Sequence, residues 1–347
     1  MKRRHLSIYA TAAVLLLAAG GCVAPPARED SDTDSAVSLV WPQPPAPARI
    51  RYLRSLTGPR DLGIRKPLFQ RVLDALAGRG DEHFVRPTGV AEHDGVLYVA
   101  DPGAPAVWIL DPTHGDFVKV TTAGGEALAS PVAVAVRPDA AVFVADTGLR
   151  KVFLLDRNGK LIEVAAQQDL LRPAGLAYDA ANRRLYVADS SRHRISVYGP
   201  GADLIRTWGQ PGDGEGQLNS PTHLAIGRAG TLLVTDALNF RVQAFDSDGR
   251  FLWKLGRHGD GSGDLAAPKG LAIDSAGHLL IADALFDAVQ IFDSDGTFLL
   301  AFGERGTRAG QFSLPGGLFV NPHDQIYVAD AYNQRIQVLR RITEDGQ

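Results

Sequence analysis

A short apolar run ending in aspartate occurs six times along this chain of 347 residues. The copies are Tyr98-Val-Ala-Asp101, Phe143-Val-Ala-Asp146, Tyr186-Val-Ala-Asp189, Leu233-Val-Thr-Asp236, Leu280-Ile-Ala-Asp283 and Tyr327-Val-Ala-Asp330. Their aspartates are 45, 43, 47, 47 and 47 residues apart. A proline precedes each by 14 to 16 residues: Pro87, Pro131, Pro173, Pro221, Pro268 and Pro315. A period of this size, with short apolar runs between Gly-rich turns, means one supersecondary unit repeated by stacking or around an axis. Repeat four shows the unit, with strand-like runs at 222–226, 231–235, 241–245 and 251–255 separated by Gly and Asp turns. Four short strands per repeat (a, b, c and d) and six repeats predict an all-β fold, a six-bladed β-propeller.

The sixth repeat has runs for strands a to c only, at 317–320, 325–329 and 335–339. An open sheet edge would result unless another segment supplies the fourth strand. Residues 49–56, Arg-Ile-Arg-Tyr-Leu-Arg-Ser-Leu, alternate like a strand and are predicted to close the last blade. The propeller then spans 49–342, with 343–347 as a tail. Between the closing strand and repeat one, Leu68, Phe69, Val72, Leu73 and Leu76 recur at helical spacing, with Pro67 before them and Gly78 after. This predicts one short helical insertion over about 67–78, expected on or beside the mouth of the central channel.

Lys2, Arg3 and Arg4 precede an apolar stretch from Ala10 to Ala19, the pattern of a secretory signal over residues 1–21. The stretch is shorter than the roughly 20 residues a spanning helix needs. Ala19-Gly20-Gly21-Cys22 resembles the bacterial lipobox, with Ala where Leu is usual at its first position. That resemblance implies lipidation of Cys22, the chain's single cysteine, which has no disulfide partner. Residues 22–48 carry the acidic Glu29-Asp30-Ser31-Asp32 and Pro42, Pro44, Pro45 and Pro47, and are expected to form an extended tether with no core of its own. The net charge of −3 becomes −6 without Lys2, Arg3 and Arg4, which excludes the basic footprint of a nucleic-acid binder.

Pro-x-Gly, then Val-Ala-Asp, then Asn-x-Arg-Ile-Gln-Val resembles the NHL repeat. The resemblance is fullest at Asp330-Ala-Tyr-Asn-Gln-Arg-Ile-Gln-Val338 and strong over repeats four to six, while repeats one to three keep strand b with altered d-to-a loops. With the lipobox and Trp41-Pro-x-Pro-Pro-x-Pro, the chain is similar to bacterial six-bladed propeller lipoproteins of this class. The resemblance implies an envelope location. Val23 after Cys22 points to the outer membrane, since Asp there would mark inner-membrane retention.

The six strand-end aspartates invite a metal reading, but their regularity favours a structural role. Lys151, Arg194, Arg241 and Arg335 each stand five residues later, and either a pair with that basic residue or a bond from the Asp to the loop backbone is expected to pin the b-to-c turn. Asp246-Ser-Asp-Gly249 and Asp293-Ser-Asp-Gly296 begin like calcium loops, yet Phe251 and Phe298 stand where an EF-hand needs glycine. The Gly-rich 209–216 and 256–263 lack the Lys-Ser/Thr of a phosphate loop. Two residues after each repeat proline stand Gly89, Ala133, Gly175, His223, Gly270 and Gly317, so only His223 reaches the axis from there. One histidine does not make the three-ligand zinc site of the amidating lyases that share this fold. The expected function is therefore a non-catalytic, membrane-anchored binding scaffold without a cofactor. It would act as a monomer and engage an envelope protein or glycan through Arg192, His193, His223, Asn239, Phe240, Phe286 and Tyr332. The alternative is a metal-dependent lyase or lactonase-like enzyme using His223.

Overall fold

The computed structural model of this protein describes residues 39–65 and 82–342. The lipidation site, the first part of the tether and the predicted helix at 67–78 lie outside the described residues.

Blades 1 to 5 are four-stranded antiparallel sheets, each in the order a-b-c-d, from Gly89–His93 in blade 1 to Phe298–Phe302 in blade 5. Blade 6 takes its d strand from the other end of the described chain. Ile50–Leu56 pairs antiparallel with Arg335–Arg341, from Ile50 opposite Arg341 to Leu56 opposite Ile336. The ring is thus closed by the segment predicted to close it.

Strand b explains the continuous apolar runs of the sequence. Its alternate side chains point to opposite sheet faces, and both faces are covered by neighbouring blades. Leu232 and Val234 pack into the seam with blade 3, and Leu233 into the seam with blade 5. The core is accordingly six inter-blade seams, including one that joins blade 6 to blade 1 through Leu56, Ile64, Phe84, Trp108 and Ile336.

One hydrogen bond crosses each seam near the axis. Thr88 Oγ1 donates to the Val132 carbonyl (3.0 Å), Thr147 Oγ1 to Pro173 (2.6 Å), Ser190 Oγ to Pro221 (2.6 Å) and Thr235 Oγ1 to Lys269 (2.9 Å). Gly270 N donates to Gly316 O (3.0 Å) and Gly317 N to Thr88 O (2.9 Å), which completes the circle. Glycine is required at 175 and 317 because a Cβ there would run into the Thr222 or Thr88 carbonyl of the next blade.

The tether's last residues depart from expectation. Val40–Trp41 pairs with Ile50 and Arg51 as a fifth strand on blade 6, and the Trp41 ring lies 5.8 Å from that of Phe302. A composition rich in proline argues against burial, but one Trp carries enough apolar area to dock locally, and the docked strand covers an open edge.

Removing residues 1–48 should cost a few kcal/mol through loss of the Trp41 contact, whereas removing 1–56 should abolish a single cooperative unfolding transition. The longer deletion takes away Ile50 and Leu56, both fully buried, each of the kind worth about 2–5 kcal/mol when truncated. Calorimetric scans of the two truncations check this, and indistinguishable melting curves would contradict it.

Candidate functional site

The face of the ring that carries the strand-end aspartates also carries the b-to-c loops and the d-to-a connections, because strand a starts opposite the end of strand b, as in the pairing of Pro221 with Asp236. All six aspartates are fully buried, and each accepts backbone N–H bonds from the residues just before its repeat proline. Asp101 takes Val85 N (2.7 Å) and Arg86 N (2.8 Å); Asp146 takes Ala129 N (2.8 Å) and Ser130 N (2.9 Å). Asp189 takes Leu171 N (2.8 Å) and Arg172 N (2.9 Å); Asp283 takes Ala266 N (2.7 Å) and Ala267 N (3.0 Å). Asp236 takes Asn219 N (2.5 Å) and Asp330 takes Ser313 N (2.8 Å).

In blades 4 and 6 the remaining acceptor capacity goes to side chains. Asn239, Arg241 and Gln243 donate to Asp236, and Asn333, Arg335 and Gln337 to Asp330. Arg241 also donates to the carbonyls of Asp213, Gly214 and Gln217, so the Gly-rich loop turns its carbonyls inward. That is the reverse of a phosphate cradle, which presents N–H groups. In blades 2 and 3 the basic residue pairs elsewhere, and Asp146 instead accepts the loop N–H of Leu149 (3.0 Å). Lys151 pairs with Glu126 (2.6 Å) and Arg194 with Asp169 (2.7 Å), because the altered d-to-a loops of blades 2 and 3 bring those carboxylates within reach. The Asp-Ser-Asp-Gly segments are turns, with Asp246 accepting the N–H of Asp248 and Arg250 at 2.9 Å; the Arg250 bond leads in holding that carboxyl below its ordinary range.

Most of the predicted binding residues are occupied in holding loops. His193 Nδ1 accepts Ser220 N from the next blade (3.1 Å). Asn239 is bound to Asp236 and to the Gly212 carbonyl. Arg192 is paired with Asp169, Phe240 packs on the blade 4–5 seam with its ring 4.2 Å from that of His258, and Phe286 is half-buried. Tyr332 alone stands out in solvent, 63% exposed. Two further side chains join it, Leu238 at 58% and Leu285 at 65% exposure. Leu238, Leu285 and Tyr332 hold the same place in consecutive blades, two residues after the strand-end aspartate, where blades 1 to 3 have Gly103, Gly148 and Ser191. Superimposing the repeats by their aspartates would have revealed this contrast.

His223 lines a cavity of roughly 250 Å³ on the ring axis, walled by strand a of every blade, with Val90, Ala135, Leu176, Leu224, Ala272 and Leu318 among its apolar residues. Burial pushes the imidazole down to about 3, and the nearby Lys269 ammonium acts in the same direction. Among the described residues no group of three His, Cys, Asp or Glu is arranged to hold a metal.

The NHL repeat family matches residues 170–198 and 312–339, the third and sixth repeats. The chain is a six-bladed β-propeller carrying NHL repeats. No curated protein sequence matches it. Among solved structures it is similar to a protein of unknown function from Bacteroides thetaiotaomicron, with 16% identity and TM-score 0.62 over 76% of this chain and 71% of that one. An auxiliary nutrient binding protein from the same organism has 12% identity and TM-score 0.58 over 74% and 69%. Catalytically inactive virginiamycin B lyase from Staphylococcus aureus has 13% identity and TM-score 0.56 over 74% and 95%. Likeness at these identities shows the fold alone.

Asp283→Ala should cost about 2–4 kcal/mol, since it removes a buried carboxylate on which several backbone N–H donors converge; a loss under about 1 kcal/mol in urea unfolding would contradict the latch. His223 gives a pH signature. An unfolded histidine protonates near 6.5 and the folded one only near 3, so the unfolded chain binds the extra proton between these values. Stability present above 6.5 is therefore lost as pH falls. Between roughly pH 7.5 and 5 the expected loss is about 1 kcal/mol, reduced from the full value by the ring's contact with the cavity. His223→Gln should remove that step from the melting temperature plotted against pH.

Proposed function

We propose that this protein is a non-catalytic binding scaffold of a bacterial cell envelope, anchored through a lipid on Cys22 and engaging a protein partner through the b-to-c loops of blades 4 to 6. The observation that carries the binding role is the row Leu238, Leu285 and Tyr332, three large apolar side chains mostly exposed at equivalent positions. Leu314, 38% exposed in the approach to blade 6, extends the row. Exposed apolar groups that recur together favour a docking surface, and the aromatic member suits an interface anchor. A protein partner fits this row better than a glycan, which would need polar groups beside the aromatic ring. The polar loop residues behind the row are bound to the latches, so the surface is held in place before a partner arrives, which lowers the ordering cost of binding. The anchor rests on the resemblance of Ala19-Gly20-Gly21-Cys22 to the lipobox, and outer-membrane placement on Val23.

Replacing Leu238, Leu285 and Tyr332 together by Ser should leave the melting temperature unchanged and weaken capture of the envelope partner at least about tenfold, as for loss of a central anchor cluster. Equal capture by wild type and triple variant in crosslinking from intact cells would overturn the docking role. Radiolabelled palmitate should mark the wild type and not Cys22→Ala; equal labelling would remove the anchor.

A further inference from the structure

At the end of the channel that carries the strand-end aspartates, two cations have no ion-pair partner among the described residues. Arg172 stands immediately before Pro173, while Thr222 and Lys269 stand immediately after Pro221 and Pro268. These prolines open strand a in blades 3, 4 and 5, so the four residues Arg172, Thr222, His223 and Lys269 gather on consecutive blades at one mouth of the cavity. Lys269 is half-buried, and its ammonium makes no ion pair or hydrogen bond among the described residues. The Arg172 guanidinium is likewise unpaired, although its backbone N–H serves Asp189. Four arginines of the b-to-c loops and c strands on this face are matched: Arg192 and Arg194 to Asp169, Arg241 to Asp236, and Arg335 to Asp330.

Asp283 favours the Lys269 charge from a distance but ranks behind burial and Arg172, and makes no ion pair with it. Asp283 is already bonded to the N–H groups of Ala266, Ala267, Leu285 and Phe286. Two polar atoms beside the cations are buried and unpartnered, Thr222 Oγ1 and His223 Nδ1. Buried polar atoms are ordinarily hydrogen-bonded, and a partly desolvated charge without a counter-ion is costly, so their concentration at one mouth requires an explanation.

We propose that this mouth binds a small organic or inorganic oxyanion, a carboxylate or phosphate group, between Lys269 and Arg172, with Thr222 and His223 as neutral hydrogen-bonding partners. The oxyanion supplies the negative charge that the fold withholds and accepts hydrogen bonds from the ammonium, the guanidinium and the Thr222 hydroxyl. Burial foremost, and Arg172 next, depress the Lys269 ammonium, and an anion would relieve both effects. His223 stays neutral near pH 7 and adds no competing need for an acid partner. The same electrostatics oppose a metal cation at His223, the opposite of what a lyase site would require. This site is separate from the apolar loop row, and does not depend on the docking role proposed for it.

Isothermal titration of the full-length protein at low ionic strength tests the proposal with three probes: succinate, inorganic phosphate and the neutral succinamide. At least one anion should bind with a stoichiometry near one, succinamide should give no heat, and added sodium chloride should weaken the binding. Lys269→Gln should lower the affinity at least about tenfold, the lower end of the range for one charge-assisted contact, without lowering the melting temperature, since it removes a poorly compensated charge. Arg172→Gln, at an exposed position, gives a second weakened variant should the lysine change disturb the fold. The apolar-row triple variant should bind the anion as the wild type does, which separates this site from the docking surface. No heat from either anion, or unchanged affinity in both single variants, would overturn the proposal.

Discussion

A carboxylate buried at the end of strand b, accepting N–H bonds from the chain approaching strand a, is the interaction on which this molecule depends. Burying a carboxylate is unfavourable unless strong donors surround it. Here the donors are backbone groups of the irregular approach to strand a, which have no ladder partner of their own. Each needs the other, so the d-to-a connection is held down in every blade whatever its own sequence. The six-membered circle of inter-blade bonds near the axis then sets the spacing of the inner strands, and the apolar seams fill the space between the sheets.

That arrangement accounts for what the sequence made legible. Strand b is buried on both faces by neighbouring blades, so it reads as an unbroken apolar run and its period is plain. The missing fourth strand of repeat six was visible because a closed ring tolerates no free edge, and Ile50–Leu56 fills it. Docking of Val40–Trp41 was hidden because one Trp in a proline-rich stretch leaves no periodic trace. Loop residues were harder still. His193 and Asn239 follow a strand in a polar loop, and sequence alone does not separate a side chain that faces water from one that turns inward to cap an amide. Leu238 and Leu285 escaped notice for the complementary reason: an isolated leucine suggests core, whereas these two stand on turns with no blade above them.

The face that carries the strand-end aspartates thus has two chemical characters resting on one frame. Blades 4 to 6 present an exposed apolar row, and blades 3 to 5 surround a channel mouth with cations that have no ion-pair partner among the described residues. The aspartates beneath both are spent on structure, which is why a ring of six carboxylates is not a metal centre. His223 shares this logic: it stands where four other blades have glycine, held neutral by burial and by the cation next to it.

Hydrogen exchange of the native protein tests the latch most directly. The amides of Val85, Arg86, Ala129, Ser130, Leu171, Arg172, Asn219, Ala266, Ala267 and Ser313 lie in irregular chain, where amides ordinarily exchange fast. If the buried aspartates hold the ring, these amides exchange as slowly as those of the b strands and open only with the blade. Exchange at the rate of ordinary surface loops, with the b strands still protected, would contradict the account.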